Sequence, residues 1–114
     1  MKNQQLGKRG ELAAKNWLCS QGHKITGQNV RLGHQEIDLI AQKDKLIIFF
    51  EVKTGLHSLT DAPLKKSQLK SLNKARIKFC HINSIPLEKT RLDLILIKPD
   101  KNLATLEHLI NIGR

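Results

Sequence analysis

The sequence is poor in cysteine and has no long apolar run, and each shortage excludes a class of protein. Its two cysteines, Cys19 and Cys80, form no CxxC or Cys/His cluster, which excludes a zinc ribbon and favours a reducing compartment. The longest fully apolar run covers only residues 46–50, whereas about 20 residues are needed to span a bilayer. The basic N-terminus lacks the apolar segment of a signal peptide. We therefore expect a cytoplasmic protein without a membrane partner.

Aromatic and acidic residues are also scarce. One tryptophan, three phenylalanines and no tyrosine leave little surface for stacking single-stranded bases. The chain has ten acidic and 20 basic residues. The resulting net charge of +10 indicates a polyanionic partner, which is nucleic acid or an anionic membrane surface. The length of 114 residues predicts a single domain, 1–114, that can bury a core without disulfides or metal.

The hydrophobic pattern predicts an α/β domain in the order αβββαββ. Apolar residues at helical spacing predict helices over 6–18 and 64–79, the second after a loop over 56–62 with an N-cap at Thr60 or Asp61. Alternating or β-rich segments predict strands over 24–31, 36–41, 46–53, 91–97 and 103–109. Residues 46–50 are apolar on both faces, which is typical of a central strand in a mixed sheet covered by helices.

The second and third strands read as a hairpin that places charged residues together. A turn centred between positions 43 and 44 would set Asp38 opposite Phe49 and Glu36 opposite Glu51. Because side chains alternate along a strand, Asp38, Glu51 and Lys53 would then project from one face at one end of the hairpin.

This group suits metal-assisted phosphodiester hydrolysis. Two converging carboxylates, Asp38 and Glu51, are what a hard cation such as Mg²⁺ needs, and the carbonyl of Val52 offers a further ligand. Lys53 could orient or deprotonate the attacking water, or neutralise charge on the phosphorane. A solvated outer strand face would also carry such residues. However, Glu51 follows five apolar residues, and a buried carboxylate is costly unless it is paired or metal-bound.

The sequence leaves the roles of several other polar residues open. Glu36 could assist the metal, although a salt bridge to Lys53 is the favoured role. Arg31 and Asp93 are expected to pair structurally, and the five histidines are interpreted as surface or loop residues, with His34 and His57 near the site.

A lysine row marks the densest basic surface. Lys66, Lys70, Lys74 and Lys78 recur every four residues on the second helix, beside Lys65 and Arg76. Such a row is often just a solvated face, but the net charge favours contact with phosphate backbones. Lys8, Arg9 and Lys15 on the first helix would extend this footprint.

Four motifs in one order resemble a known family. They are GKRGELAA at 7–14, NVR at 29–31, QEIDLIA at 35–41 and FEVKT at 50–54, and Arg91-Leu92-Asp93 matches a late Arg-x-Asp strand. Together they resemble the YraN family of small bacterial proteins, which look like nucleases of the restriction-endonuclease-like fold. The resemblance covers nearly the whole chain, from about Gly7 to about Leu109.

The resemblance implies a PD-(D/E)xK type site, similar to that of archaeal Holliday-junction resolvases. It makes Glu11 the helical acidic residue, Asp38 and Glu51 the metal carboxylates and Lys53 the catalytic lysine, while Gln68 matches a polar position of related nucleases. Two positions depart from the family pattern. Gln35 replaces a glycine before Glu-Ile-Asp, and Gly55 replaces an arginine after Glu-Val-Lys-Thr, which removes a phosphate contact.

The expected function is therefore a Mg²⁺- or Mn²⁺-dependent endonuclease that acts on DNA, including branched or structured DNA. The alternative is a nucleic-acid-binding module of the same fold with little or no turnover. A basic adaptor in a DNA-processing complex is a third hypothesis. Symmetric cutting of both strands would favour a two-fold homodimer.

Overall fold

The computed structural model of the protein describes residues 2–55, 64–99 and 104–113, and within them the predicted order αβββαββ is confirmed. The predicted loop over 56–62, with its N-cap at Thr60 or Asp61, lies outside these residues. No helix in the described ranges is long and apolar enough to cross a membrane. The elements are α1 (Lys2–Ser20), β1 (Lys24–Leu32), β2 (Gln35–Lys43), β3 (Leu46–Thr54), α2 (Lys66–Ile82), a 3-10 turn (Leu87–Lys89), β4 (Thr90–Pro99) and β5 (Ala104–Leu109).

The five strands form one mixed sheet in the order β1-β2-β3-β4-β5. β3 pairs antiparallel with β2 and parallel with β4, and the other neighbours are antiparallel. A parallel pair needs a crossover connection, and α2 lies in that connection. The prediction that 46–50 form a central strand is confirmed.

The predicted register of the β2–β3 hairpin is wrong by two residues. Leu39 pairs with Phe50 and Lys43 with Leu46, so the turn consists of Asp44 and Lys45, and Asp44 has a φ of 55°. The strands extend further into the polar segment than its composition suggested. A shift of two keeps every side chain on its face, and it brings Asp38 opposite Glu51 rather than Phe49.

The two helices cover opposite faces of the sheet. The α1 face buries Ala14, Leu18, Leu39, Ala41, Ile48, Phe50, Ile95 and Ile97. The α2 face buries Ile37, Ile40, Phe49, Leu72, Ala75, Cys80 and Leu92. The sheet therefore has a core on each side, which is why its central strands are apolar throughout.

The alternation of β2 is interrupted at Asp38. Leu39 faces α1 and Ile40 faces α2, but Ile37 also faces α2, although strict alternation would place it with Leu39. The opposing position in β1 is Asn29, whose φ of 51° is left-handed. The predicted strict period of two is wrong here, because both strands are irregular beside the site.

Candidate active site

The four predicted catalytic residues line one pocket of about 280 Å³ at the end of β3. α1 contributes Glu11, β2 contributes Asp38, and β3 contributes Glu51 and Lys53. Val52 lies between the last two, and its side chain packs against the α1-side core. The hairpin spacing predicted that Asp38, Glu51 and Lys53 lie together, and the resemblance added Glu11; all four line this pocket.

Asp38 is held in place by the backbone of β3. The backbone pairing of β2 with β3 ends at Leu39 and Phe50. Beyond this pair a side chain, rather than a backbone carbonyl, accepts the next hydrogen bond from β3. The N–H of Val52 donates to Asp38 Oδ2 at 2.8 Å. The carboxylate therefore satisfies a backbone donor that the separating strands would leave unpaired, and it is fixed beside Glu51.

The surroundings of Glu51 disfavour the ionised form of its carboxylate. Its side chain is 12 % exposed, and Lys53 Nζ lies 3.9 Å from its Oε2. Burial raises the pKa of Glu51 to about 9, and its hydrogen bond with Asp38 and the charge of Asp38 act in the same direction. The pocket without a cation therefore holds Glu51 protonated at neutral pH.

A further acid cluster extends the pocket toward β1. One carboxylate oxygen each from Glu11, Glu36 and Asp38 lies within 4.8 Å of the others. Burial raises the pKa of Glu11, and the charges of Asp38 and Glu36 raise it further. Lys53 pairs with Glu51. The predicted salt bridge between Lys53 and Glu36 does not form among the described residues.

Asn29 is a site residue whose role the sequence analysis missed. With its amide nitrogen turned toward the acids, it donates to Glu36 Oε1 at 3.1 Å and to Glu11 Oε2 at 3.3 Å. The backbone of Asn29 has a left-handed φ, a conformation that asparagine tolerates better than most residues. An asparagine inside a strand pattern, before Val30-Arg31, was the available signal.

Close packing at Gly10 sets the distance between α1 and β3. Gly10 is buried, and a Cβ at this position would overlap the Thr54 side chain. Glu11 follows it directly, so the absent side chain at Gly10 lets Glu11 reach the pocket. Gly7 lies at the pocket wall, where a Cβ would meet open space.

The basic residues lie on two separate surfaces. Lys66, Lys70 and Lys74 line a shallow groove along α2, and Lys65 and Gln68 are exposed at its start, where Gln68 Oε1 accepts the N–H of Lys65. On α1, Lys8 borders a groove shared with Glu11 and Asn29, and Arg9 is exposed. Since α1 and α2 cover opposite faces, these lysines do not form one continuous footprint.

Arg76 does not belong to the lysine row. Its guanidinium donates to Thr90 Oγ1 at 2.7 Å and to Asn73 Oδ1 at 3.1 Å, which ties α2 to the start of β4.

Two predictions about polar residues are wrong. Asp93 is fully buried and pairs with Arg91 and His108, whereas Arg31 is exposed on the outermost strand β1. The histidine prediction fails at His108, which lies on β5 and is largely buried against Asp93, whereas His23 lies in the turn after α1 but is only 9 % exposed, with Nδ1 at 3.2 Å from the carbonyl of Leu18. Arg91 lies two residues from Asp93 on the same strand, whereas His108 is distant in sequence and His23 lies in a turn, so hydrophobic periodicity carries no sign of the two histidines. His34 is exposed, as predicted, and His57 lies outside the described residues.

Comparison with known proteins connects this chain to one family. A family model described as "Uncharacterised protein family UPF0102" matches residues 10–97. A UPF0102 protein of Kosmotoga olearia is 33 % identical over 109 residues, which cover 95 % of this chain and 92 % of that protein. A UPF0102 protein of Carboxydothermus hydrogenoformans is 30 % identical over 118 residues, which cover 98 % of each chain.

A solved structure shows a more distant similarity. The structure of Pyrococcus furiosus SfsA in complex with Ca²⁺ gives a TM-score of 0.46 at 13 % identity, and the match covers 97 % of this chain and 64 % of that one.

Proposed function

We propose that this chain, which belongs to the UPF0102 family as its YraN-like motifs predicted, is a divalent-metal-dependent endonuclease that acts on DNA. The observation that carries the proposal is the meeting of Asp38 and Glu51 beside Lys53 in one pocket. A protein that only binds DNA gains nothing from carboxylates at its phosphate-binding surface, because they repel phosphate. A nuclease needs them to hold a cation.

The donor set fits a hard divalent cation. Asp38 and Glu51 offer carboxylate oxygens, and the carbonyl of Val52 is a further oxygen ligand, which is the chemistry that Mg²⁺ and Mn²⁺ prefer. The raised pKa of Glu51 supports this assignment, because burial and the neighbouring charge of Asp38 destabilise its ionised form more than Lys53 stabilises it, and a bound cation would reverse this balance. When bound, the metal would supply Lewis-acid polarisation of the scissile phosphate.

The side chains around the acids have distinct roles. Lys53, with Nζ 3.9 Å from Glu51, places a mobile positive charge where charge develops on the phosphate during cleavage. The N–H of Val52 keeps Asp38 oriented, and Asn29 keeps Glu11 and Glu36 together. Glu11, with its raised pKa, is suited to hold or release a proton at the pocket wall.

Branched DNA is the substrate class that the charge distribution favours. On α1, Lys8 lines a groove beside Glu11 and Arg9 is exposed, whereas Lys65, Lys66, Lys70 and Lys74 lie at the start of α2 and along it, across the sheet. One straight duplex cannot lie against both faces of the sheet. A branched substrate can place one arm on each surface, and paired symmetric cuts would require two copies of the chain.

The decisive experiment is a cleavage panel with Mg²⁺ or Mn²⁺ on linear, nicked and four-way-junction DNA. Asp38→Asn is the test variant, because its amide oxygen can still accept the Val52 N–H while the charge is lost. Glu88→Gln, at an exposed acid away from the pocket, is the matched control. We expect cleavage by the wild type and the control and none by Asp38→Asn. Binding without cleavage under every metal would instead establish the nucleic-acid-binding module.

A further inference from the structure

A second cavity lies at the other end of β3. It has a volume of about 370 Å³, within the range of roughly 300–1,000 Å³ typical of small-molecule sites. Its polar lining includes His23, Lys43, Arg91 and His108, from the turn after α1, the end of β2, β4 and β5. On β3 this cavity reaches Ile48, and the acidic pocket begins at Glu51, about 10 Å away at ~3.3 Å per strand residue. One phosphate group cannot contact both sites.

The guanidinium at this cavity is fixed by a buried carboxylate. Arg91 donates from Nε to Asp93 Oδ1 at 2.8 Å and from Nη2 to Oδ2 at 2.9 Å, while Asp93 is fully buried. His108 Nε2 and the N–H of Asn111 complete the shell of Asp93 at 2.7 and 2.8 Å. Burial raises the pKa of Asp93, but the hydrogen bonds from His108 and Arg91 lower it overall, so the carboxylate is ionised. Arg91 Nη1 takes no part in these two bonds to Asp93. Because the bonds fix the planar guanidinium, Nη1 is held in a preorganised position.

Basic side chains outnumber acidic ones in the lining of the cavity, although the buried Asp93 offsets part of the charge of Arg91. Burial is the main cause that lowers the pKa of His23, and the charges that lower it further come from Lys43, His108 and Arg91. Each of these side chains is basic. Asp44 is an acidic lining residue, but it lies on the exposed β2–β3 turn at the rim. An anionic group inside the cavity would therefore be stabilised.

The rest of the lining is apolar and aromatic. Trp17 packs edge to face with His108 at a ring-centroid distance of 5.5 Å, and Leu46, Ile48 and Ile110 line the cavity beside it. Ile110 is 59 % exposed although it is a large apolar side chain. A ligand for this lining has a flat apolar part joined to an anion.

We propose that this cavity binds a nucleotide, with its phosphate at Arg91 and Lys43 and its base against Trp17 and the apolar wall. A phosphate provides the anionic oxygens that a preorganised guanidinium and an ammonium bind best. The nucleotide is either a free mononucleotide or the phosphorylated end of a nucleic-acid strand. The site is separate from the acidic pocket and does not depend on cleavage activity.

Trp17 provides the assay, because it is the single tryptophan of the chain and it lines the cavity. Its fluorescence is followed while the metal-free protein is titrated with dAMP, with inorganic phosphate, and with a short oligonucleotide carrying a 5′-phosphate or a 5′-hydroxyl. NaCl keeps the ionic strength constant. We expect a saturable change with dAMP that is tighter than with inorganic phosphate, since the base adds contact area. Preference for the 5′-phosphate oligonucleotide over dAMP identifies a strand end, and the reverse identifies a free nucleotide.

Two variants test the assignment of the phosphate. Lys43→Gln should weaken dAMP binding about ten-fold or more, which is typical of the loss of one charge-assisted hydrogen bond. Lys45→Gln, an equal charge loss two residues further along the chain but outside the cavity, should leave binding unchanged. Arg91→Lys keeps a positive charge for Asp93 but removes Nη1, so it should also weaken dAMP binding, and a thermal melt confirms that it folds.

Two results would overturn the proposal. One is the absence of both a saturable fluorescence change and calorimetric heat with dAMP and with the 5′-phosphate oligonucleotide. The other is an equal loss of affinity in Lys43→Gln and Lys45→Gln, because binding would then follow the general charge of the protein.

Discussion

Glu51 places a carboxylate at the end of an apolar strand, and its protonation links folding to pH. Its ordinary pKa is 4.5 and its pKa in the fold is about 9, so between these values the unfolded chain releases a proton that the folded chain retains. The metal-free protein should therefore lose stability as pH rises across this window. Glu51→Gln removes that loss, and we expect its melting temperature at pH 8 to exceed that of the wild type by ~5 °C. Thermal melts in EDTA between pH 5 and 9 measure the difference.

The exposed acid Glu88 provides the control for this pH dependence. Glu88→Gln should follow the wild-type curve across the same range. Addition of Mn²⁺ should raise the melting temperature of the wild type but not that of Glu51→Gln, because the cation binds the ionised carboxylate. Parallel melting curves for all three proteins would show that Glu51 ionises freely, contrary to its burial.

Lys53 separates catalysis from binding. Lys53→Ala removes the positive charge beside Glu51 but leaves both carboxylates, so calorimetry should still detect Mn²⁺ binding. The cleavage rate should fall by about 10²-fold or more, the scale for loss of a positioned electrostatic group. DNA affinity should change little, since one charge is removed among 20 basic residues. Lys45→Ala, an exposed lysine of the β2–β3 turn, is the control, and an equal fall in its rate would contradict a specific role for Lys53.

At the scale of elements, the packing of α1 on β3 sets the geometry of the pocket. Gly10→Ala pushes a methyl group into Thr54, and we expect a loss of ~1–3 kcal/mol in the free energy of unfolding. Gly7→Ala on the same helix meets open space and should stabilise by ~0.5–1 kcal/mol. Urea unfolding of the two variants gives both values. The cleavage rate should also fall in Gly10→Ala, because Glu11 moves with α1; equal stabilities in the two variants would rule out the close contact.

The order of the elements was predictable, whereas the irregular positions were not. Periodicity is a local property, and it located all seven helices and strands in the described ranges. The predicted register of the hairpin differs from the observed register by two residues. Asp38 and Glu51 nevertheless lie together, because an even shift keeps side chains on the same face. The left-handed Asn29 contacts Glu11 of α1, and Asp38 accepts the N–H of Val52 on β3; no local pattern contains such long-range contacts.

Buried polar pairs were missed for the same reason. The sequence predicted that Asp93 has a basic partner but named Arg31, while Arg91 on the same strand and His108 on the neighbouring strand fill that role. Two residues along one strand share a face, so Arg91 was available from spacing alone. His108 and His23 could be found only from the packing of β5 and of the α1 turn around Phe50.

At the scale of the whole molecule, part of the basic excess behind the net charge of +10 lies on two helices that cover opposite faces of one sheet. α2 contains no acidic residue, and Lys66, Lys70 and Lys74 line its outer groove. Lys8 and Arg9 belong to the face that carries Glu11. If both surfaces bind the arms of one branched substrate, removal of the α2 lysines should affect junction DNA more than linear duplex.

The salt dependence of binding tests this arrangement. Neutralising a phosphate releases counterions, so DNA affinity should fall steeply as the salt concentration rises. In a variant with Lys66, Lys70 and Lys74 changed together to Ala, the slope of log affinity against log salt concentration should become shallower by roughly 0.9 for each phosphate that is no longer neutralised. A matched triple variant of the exposed Lys24, Lys45 and Lys89 removes the same charge elsewhere. Fluorescence anisotropy with duplex and four-way-junction DNA at several salt concentrations measures both slopes. We expect the α2 variant to lose its preference for the junction while the matched variant keeps it. Equal losses in the two variants would assign DNA binding to the overall charge of the protein, because total charge is then the only property they share.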